Sequence, residues 1–165
     1  MITRESIADE LQTWKGTNYS HGVSVKQGGV DCVRFAVSML EWAHGRIGNA
    51  DCIPYDFTPQ AAWSERWCAQ KMYAWMSQRY PNTVVYKRKS GVPIPTIQPL
   101  DVLVLENSDD SPCHMMIGGL KGEIWHANNS ATGGDVRWSG LTDLWQSKLL
   151  VIWRMNIVIE SNLQK

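Results

Sequence analysis

The chain has 165 residues, and its 16 Lys and Arg balance 16 Asp and Glu, so the formal net charge is zero; the pI lies near 6.9. That length suits one domain able to bury a sizeable core, and 44% apolar residues exclude a disordered or collagen-like chain. Zero net charge argues against nucleic-acid binding, and no apolar run approaches the ~18 residues that membrane insertion needs. The N-terminus, Met1-Ile2-Thr3-Arg4-Glu5-Ser6, leads into no apolar stretch that could serve as a secretory signal. The unusual entry is aromatic: nine Trp against two Phe. Trp has a large apolar ring and one N–H donor, so it suits both cores and groove walls.

Ile7, Leu11 and Trp14 recur at helical spacing, with Thr3 as N-cap and Gly16 beyond the end, which predicts a short amphipathic helix. A loop rich in Gly, Ser and Asn follows at 17–30. From Asp31 a dense apolar pattern predicts a central, buried helix ending at Gly45. Beyond a polar stretch at 46–57, Thr58-Pro59 is the signature of a third helix start; that helix should run to about Tyr80, before Pro81. Five segments then take strand character: 84–87, 100–105, 114–118, 123–127 and 149–159. Helices followed by a mainly antiparallel sheet define the α+β class. The basic cluster Lys87-Arg88-Lys89 is expected to be a solvated strand end.

Gly28-Gly29-Val30-Asp31-Cys32 is the most informative segment. Asp31 is a good N-cap, and Cys32 then occupies the first turn of the central helix. Unpaired N–H groups and the helix dipole there favour the thiolate, the form that attacks carbonyl carbon, and can also hold an oxyanion. For an isolated cysteine, the simpler explanation is a structural thiol opening a core helix. Cys52 and Cys68 lack any neighbouring base and are expected to be structural. Four irregularly spaced cysteines make no disulfide framework.

A thiol nucleophile needs a base. His114 opens Cys113-His114-Met115-Met116-Ile117-Gly118, and His126 closes Glu123-Ile124-Trp125-His126-Ala127. A hairpin loop over 119–121 pairs Gly118 with Gly122 and sets His114 directly opposite His126, with Cβ atoms about 4.5–5.5 Å apart. One imidazole can then orient the other, as in a nucleophile–base–orienter triad. A one-residue shift would separate them onto opposite faces. Two unrelated strand histidines are the alternative. Cys113, His114 and His126 are also metal-ligand types, but adjacent strand residues point to opposite faces and no paired-ligand motif is present, so no metal or other cofactor is expected. His21 sits in the loop before Cys32, where it could line a cleft, although a surface position is the simpler reading, and Tyr19 could place a phenol near the nucleophile.

In this order the segments resemble the NlpC-type cysteine peptidases, papain-like cell-wall hydrolases of bacteria and their phages. Trp14-Lys15-Gly16-Thr17-Asn18-Tyr19 is similar to the family's Gly-Thr-Pro-Tyr segment, and Gly29-Val30-Asp31-Cys32 to its nucleophile motif. Gln98-Pro99-Leu100-Asp101-Val102-Leu103 stands for the Pro-Gly-Asp strand, and the His114 and His126 strands for those of the base and the third residue. Val33-Arg34 replaces the usual Ser-Gly, Asn18 the usual Pro and Leu100 the usual Gly.

The resemblance implies a papain-like NlpC-type fold over the whole chain, with a helical insertion at about 46–82. It implies Cys32 as nucleophile, His114 as general base and His126 as orienter. Tyr19 would lie beside the active site, assisting substrate or oxyanion, and Asp31 would position the nucleophile turn. The implied substrate is a peptidoglycan stem peptide, cleaved next to D-Glu and a diamino acid, without a cofactor. The insertion and the Pro112-Cys113-His114 segment resemble the phage-tail and prophage branch, which implies tail-tip partners and a place in the virion tail, or in the cytoplasm before assembly. Two other functions remain open: a structural tail subunit with weak or no hydrolysis, and an amidase or acyltransferase of the same fold group. By strand alternation Trp125 should face the core, away from His126, whereas Trp63, Trp67 and Trp75 are candidates for a wall of the substrate groove.

Overall fold

Thr3 caps the first helix, α1 (Arg4–Trp14), after a two-residue strand β1 (Ile2–Thr3). Its hydroxyl accepts from the Ser6 N–H while the Thr3 N–H donates to the Ser6 hydroxyl, so two first-turn donors are satisfied reciprocally. Ile7, Leu11 and Trp14 are buried along one stripe. Gly16, at φ +75°, then turns the chain out of the helix. The structure is a computed structural model that describes residues 2–46, 65–107, 111–129, 133–155, 157, 159 and 160.

The expected loop at 17–30 contains a small antiparallel pair, β2 (Ser24–Val25) and β3 (Gly29–Val30), too short to carry a periodic signal. α2 (Cys32–Arg46) follows and runs through Gly45 rather than stopping there. α3 (Glu65–Arg79) ends before Pro81, as expected; the Thr58-Pro59 start proposed for it lies outside the described residues.

β4 (Val84–Lys87), β5 (Val102–Glu106), β6 (Pro112–Gly118), β7 (Ile124–Ala127), β8 (Val136–Ser139) and β9 (Leu149–Trp153) form one sheet in the order β4-β9-β5-β6-β7-β8, antiparallel throughout. The short α4 (Asp143–Lys148) precedes β9, and β10 (Ile159–Glu160) pairs in parallel with β1. β8 and α4 were not anticipated; the single expected segment 149–159 divides into β9 and β10.

The sheet separates two cores. Val102, Val104, Met115, Ile117, Trp125, Ala127 and Trp153 pack with the buried faces of α1, α2 and α3. Leu103, Leu105, Met116, Ile124 and Ile152 face the other way and meet Trp145 of α4. Period-two alternation sorts the strands so cleanly because both faces are covered. Trp125 lies on the helix side, away from His126, as alternation requires. Cys68 is fully buried in the helix-side core, a structural thiol. Cys52 lies outside the described residues.

Two features hold β5 in place. The Asp101 N–H donates to the Gln98 carbonyl across a turn with Pro99 second and Leu100 third, and Leu100 has φ +65°. Pro second and a left-handed third residue are the type II pattern, in which the third residue is normally Gly. Here a buried Leu takes that conformation. The Asp101 carboxylate then accepts from Gln98 N at 2.8 Å and from Arg154 Nε and Nη2 at 3.0 and 2.9 Å. Gly118 lies against this turn so closely that a Cβ would stand 2.1 Å from the Gln98 carbonyl oxygen.

Candidate active site

Asp31 shapes the start of α2. Its Oδ1 accepts from the Arg34 N–H at 2.8 Å, the N-cap bond expected of Asp before a helix. Its Oδ2 accepts from the Gly22 N–H at 3.0 Å and from the Arg34 guanidinium at 2.5 Å. The pair is buried, and His21 Nδ1 lies 3.7 Å from the same carboxylate. His21 is thus turned toward the cap while its side chain stays 30% exposed. Arg34, where the resembling family has Gly, clamps the capping carboxylate. By balancing the Asp31 charge it also keeps that charge from cancelling the positive field at the helix end.

Cys32, the first residue of α2, is fully buried and belongs to the helix-side core. Backbone bonds run outward from its turn. Val30 N donates to Asn18 O at 3.0 Å, Tyr19 N to Gly134 O at 2.7 Å, and Val136 N to Thr17 O at 2.8 Å. Segment 16–20 therefore joins the nucleophile turn to β8, and through β8 to the His126 strand. Tyr19 is the residue bridged to Val30, two positions before Cys32.

His114 and His126 come together, although not in the expected register. Gly118 pairs with Ile124 and Ile117 with Trp125, so the loop is longer than 119–121 and His126 falls opposite Met116, not His114. The cause is Glu123. Its carboxylate accepts from the Leu120 and Lys121 N–H groups, and its backbone closes the loop by accepting from Gly119 N. The displacement is two residues, which preserves the face, and leaves the imidazoles as diagonal neighbours. His114 Nε2 and His126 Nδ1 are 3.1 Å apart with the rings at 90°. His126 is 2% exposed. Its pKa is held down to about 3 by burial, and further by the charges of His114 and Arg137. It is therefore neutral at ordinary pH and can accept the His114 Nε2–H at Nδ1, leaving His114 Nδ1 as the basic nitrogen.

His114 pairs with Leu105, and both rings lie toward Trp145 of α4. Trp145 lies edge-on to both, at centroid distances of 4.6 Å from His126 and 6.3 Å from His114. It is the site residue that the sequence reading missed. Thr142, Asp143 and Lys148 are cap and dipole signals for its helix, but six residues are too few for periodicity to register.

A cleft of about 420 Å³ opens at His114, lined by Glu106, Asn107, Cys113, Asn128, Asn129 and Trp145 among others. Cys113 was expected to point away from His114. It is the unpaired residue of a β-bulge, between Leu105↔His114 and Glu106↔Pro112, and the bulge lets consecutive side chains line one cleft. Arg88, expected in a solvated cluster, instead pairs with the buried Glu106 at the back of this cleft. Of the proposed groove tryptophans, Trp75 packs edge-on against Tyr80 at 5.6 Å on the margin of the helix-side core. Trp63 and the Trp67 side chain lie outside what is described.

Neither a protein-family model nor a curated protein sequence matches the chain. Solved structures do. A protein similar to lipoproteins of the NLP/P60 family from Staphylococcus aureus aligns with a TM-score of 0.51 and 17% identity, over 96% of this chain and 42% of the other. The NlpC/p60 domain of the peptidoglycan hydrolase SagA aligns with a TM-score of 0.52 and 18% identity, over 93% of this chain and all of that one. With helices on one face of an antiparallel sheet and an Asp-Cys pair opening the central helix, the chain has the NlpC/p60 fold.

Proposed function

We propose that the protein is a cysteine endopeptidase acting on peptidoglycan stem peptides, with Cys32 as nucleophile, His114 as base and His126 as orienter. The carrying observation is the imidazole pair, His114 Nε2 to His126 Nδ1 at 3.1 Å, with His126 held neutral. With His126 Nδ1 as acceptor, His114 keeps its Nε2–H, and its Nδ1 is the nitrogen left to act as base. In this reading His114 takes the thiol proton and the thiolate attacks the amide carbonyl. The first turn of α2 stabilises the oxyanion, His114 returns the proton to the leaving amine, and water releases the acyl group. Asp31 and Arg34 hold that turn, and Tyr19 lies two positions from the nucleophile across the Val30 bridge.

The tail-associated setting belongs to this reading through the sequence resemblance. Among the described residues no helix is long and apolar enough to cross a membrane. The test is hydrolysis of purified peptidoglycan and of a synthetic stem peptide. Wild-type cleavage that is abolished in Cys32→Ala and in His114→Ala supports the assignment. A wild-type protein inert at every pH at which it stays folded refutes it.

One observation favours a second reading of the nucleophile. Cys113 is partly exposed and lines the cleft beside His114, whereas Cys32 is fully buried on the helix side. Loss of cleavage in Cys113→Ala, with Cys32→Ala active, would move the nucleophile to Cys113.

A further inference from the structure

His114 opens on the cleft of about 420 Å³, whereas its partner His126 is buried and is not among the cleft's described walls. Trp145 belongs to both sides of this division: it lines the cleft with His114, and its ring stands edge-on to His126 as well. The other groups around His126 are polar or charged. β6 brings His114, and β8 brings Arg137, which pairs directly with His126 across the strands and is bound in turn by Asp135. Glu106 of β5, which also lines the cleft, is paired with Arg88, and the charged residues of α4, Asp143 and Lys148, are exposed. Within α4, Trp145 is the apolar residue packed against the core on this face, while Leu144 is 62% exposed. The indole is placed by the helix start itself, since Thr142 Oγ1 caps the N–H of Trp145 at 3.4 Å.

A hydrogen bond between two imidazoles holds one tautomer only while water does not compete for its donor and acceptor, and a ring that water reaches regains its ordinary affinity for protons. An indole offers a wide apolar surface against both rings. We propose that Trp145 is a positioning residue: its ring keeps water from the hydrogen bond between His114 Nε2 and His126 Nδ1, so that His126 stays the acceptor and His114 Nδ1 the base. The catalytic consequence rests on the hydrolase reading above. Trp145 acts through the imidazoles, and the cap on its own N–H makes α4 the element that holds the pair in register with the cleft.

Nitrogen NMR of the imidazoles tests this without substrate. In wild type His126 should keep one protonation state from pH 8 to pH 5, and the His114 Nε2 proton should exchange slowly with water. Titration of His126 in that interval, or a His114 proton exchanging as fast as that of free histidine, overturns the shielding before any variant is made. In Trp145→Ala, His126 should titrate within the interval and the His114 proton should exchange about ten-fold faster. Trp145→Phe, which keeps an apolar ring, should behave as wild type. Trp145→Gln, which keeps bulk but carries water to the site, should match Trp145→Ala and replaces it if the smaller side chain fails to fold. Unchanged titration and exchange in a folded variant of either kind refute the proposal. With a synthetic stem peptide, kcat/KM of Trp145→Ala should fall about ten-fold at pH 5, where most of a ring titrating near about 6.5 is protonated, and change little at pH 8. An equal loss at both pH values is what a merely structural role would give, and it overturns the positioning role. Absence of cleavage by wild type refutes the hydrolase reading alone, since exchange and titration still decide the shielding.

Discussion

Acidification should destabilise this protein chiefly through the buried imidazole of His126. His126 is 2% exposed, and its pKa is lowered from 6.5 to about 3 by burial, reinforced by the charges of His114 and Arg137. The unfolded chain therefore binds a proton near 6.5 that the folded chain refuses until about 3. Because the unfolded state holds more protons in that window, stability falls as pH drops through 6.5 and stops falling below about 3. At 1.36 kcal/mol per unit, the site should cost about 2 kcal/mol on going from pH 7.5 to pH 5 and roughly 5 kcal/mol by pH 3. Against a typical domain stability of about 5–15 kcal/mol, that is a large fraction. His126→Asn keeps an acceptor near the Nδ1 position but does not titrate. Urea unfolding of both proteins at the two higher pH values gives the difference. His44, whose pKa is also lowered by burial, titrates in both and cancels. Wild type should lose about 2 kcal/mol more than the variant over that interval. Equal losses would mean that His126 is not held neutral by the fold, and the argument for its acceptor role would go with it.

Three further outcomes follow from buried groups. Arg34→Met strands the fully buried Asp31 carboxylate without its guanidinium and should cost about 3–5 kcal/mol in denaturant unfolding, whereas Asp31→Asn/Arg34→Met together should recover part of that loss. Leu100 holds a left-handed conformation while 2% exposed, so truncation loses packing, but glycine also relieves the backbone; Leu100→Gly should melt above Leu100→Ala, by about 1 kcal/mol of stability, reversing their usual order. His44 is 7% exposed with neither ring nitrogen hydrogen-bonded, so His44→Leu should stabilise by about 1 kcal/mol at pH 7 and more at pH 5, read as a rise in urea midpoint.

The legible parts of this fold are those where period and punctuation agree. Thr3, the Ile7-Leu11-Trp14 stripe and Gly16 carried α1 almost to the residue, and β4 stands at the expected 84–87. Asp31 as N-cap and the shared face of His114 and His126 were also legible, because capping and strand parity are local rules. Failure came where a distant or single side chain decides. The Glu123 carboxylate lengthens a turn that backbone statistics would make shorter, and shifts the register by two. The bulge at Cys113 breaks the alternation that argued it away from His114. Trp145 reaches the imidazoles from a helix of six residues, and nothing in its local sequence announces that meeting.

The strand order has a consequence for how the chain is completed. β9 lies between β4 and β5, so until residues 149–153 are synthesised β4 has no partner and β5 presents an open edge. β1, at the other end of the chain, waits still longer for β10. Residues 149–160 thus close the six-stranded sheet and the β1–β10 pair, and the Arg154 bridge to Asp101 fastens the larger sheet at the same stage. A nascent chain halted before Leu149 would carry the imidazole hairpin and the nucleophile helix yet leave the large sheet unfinished. Folding should therefore be slow and governed by long-range pairing, with the partly made chain most prone to associate through its bare edges.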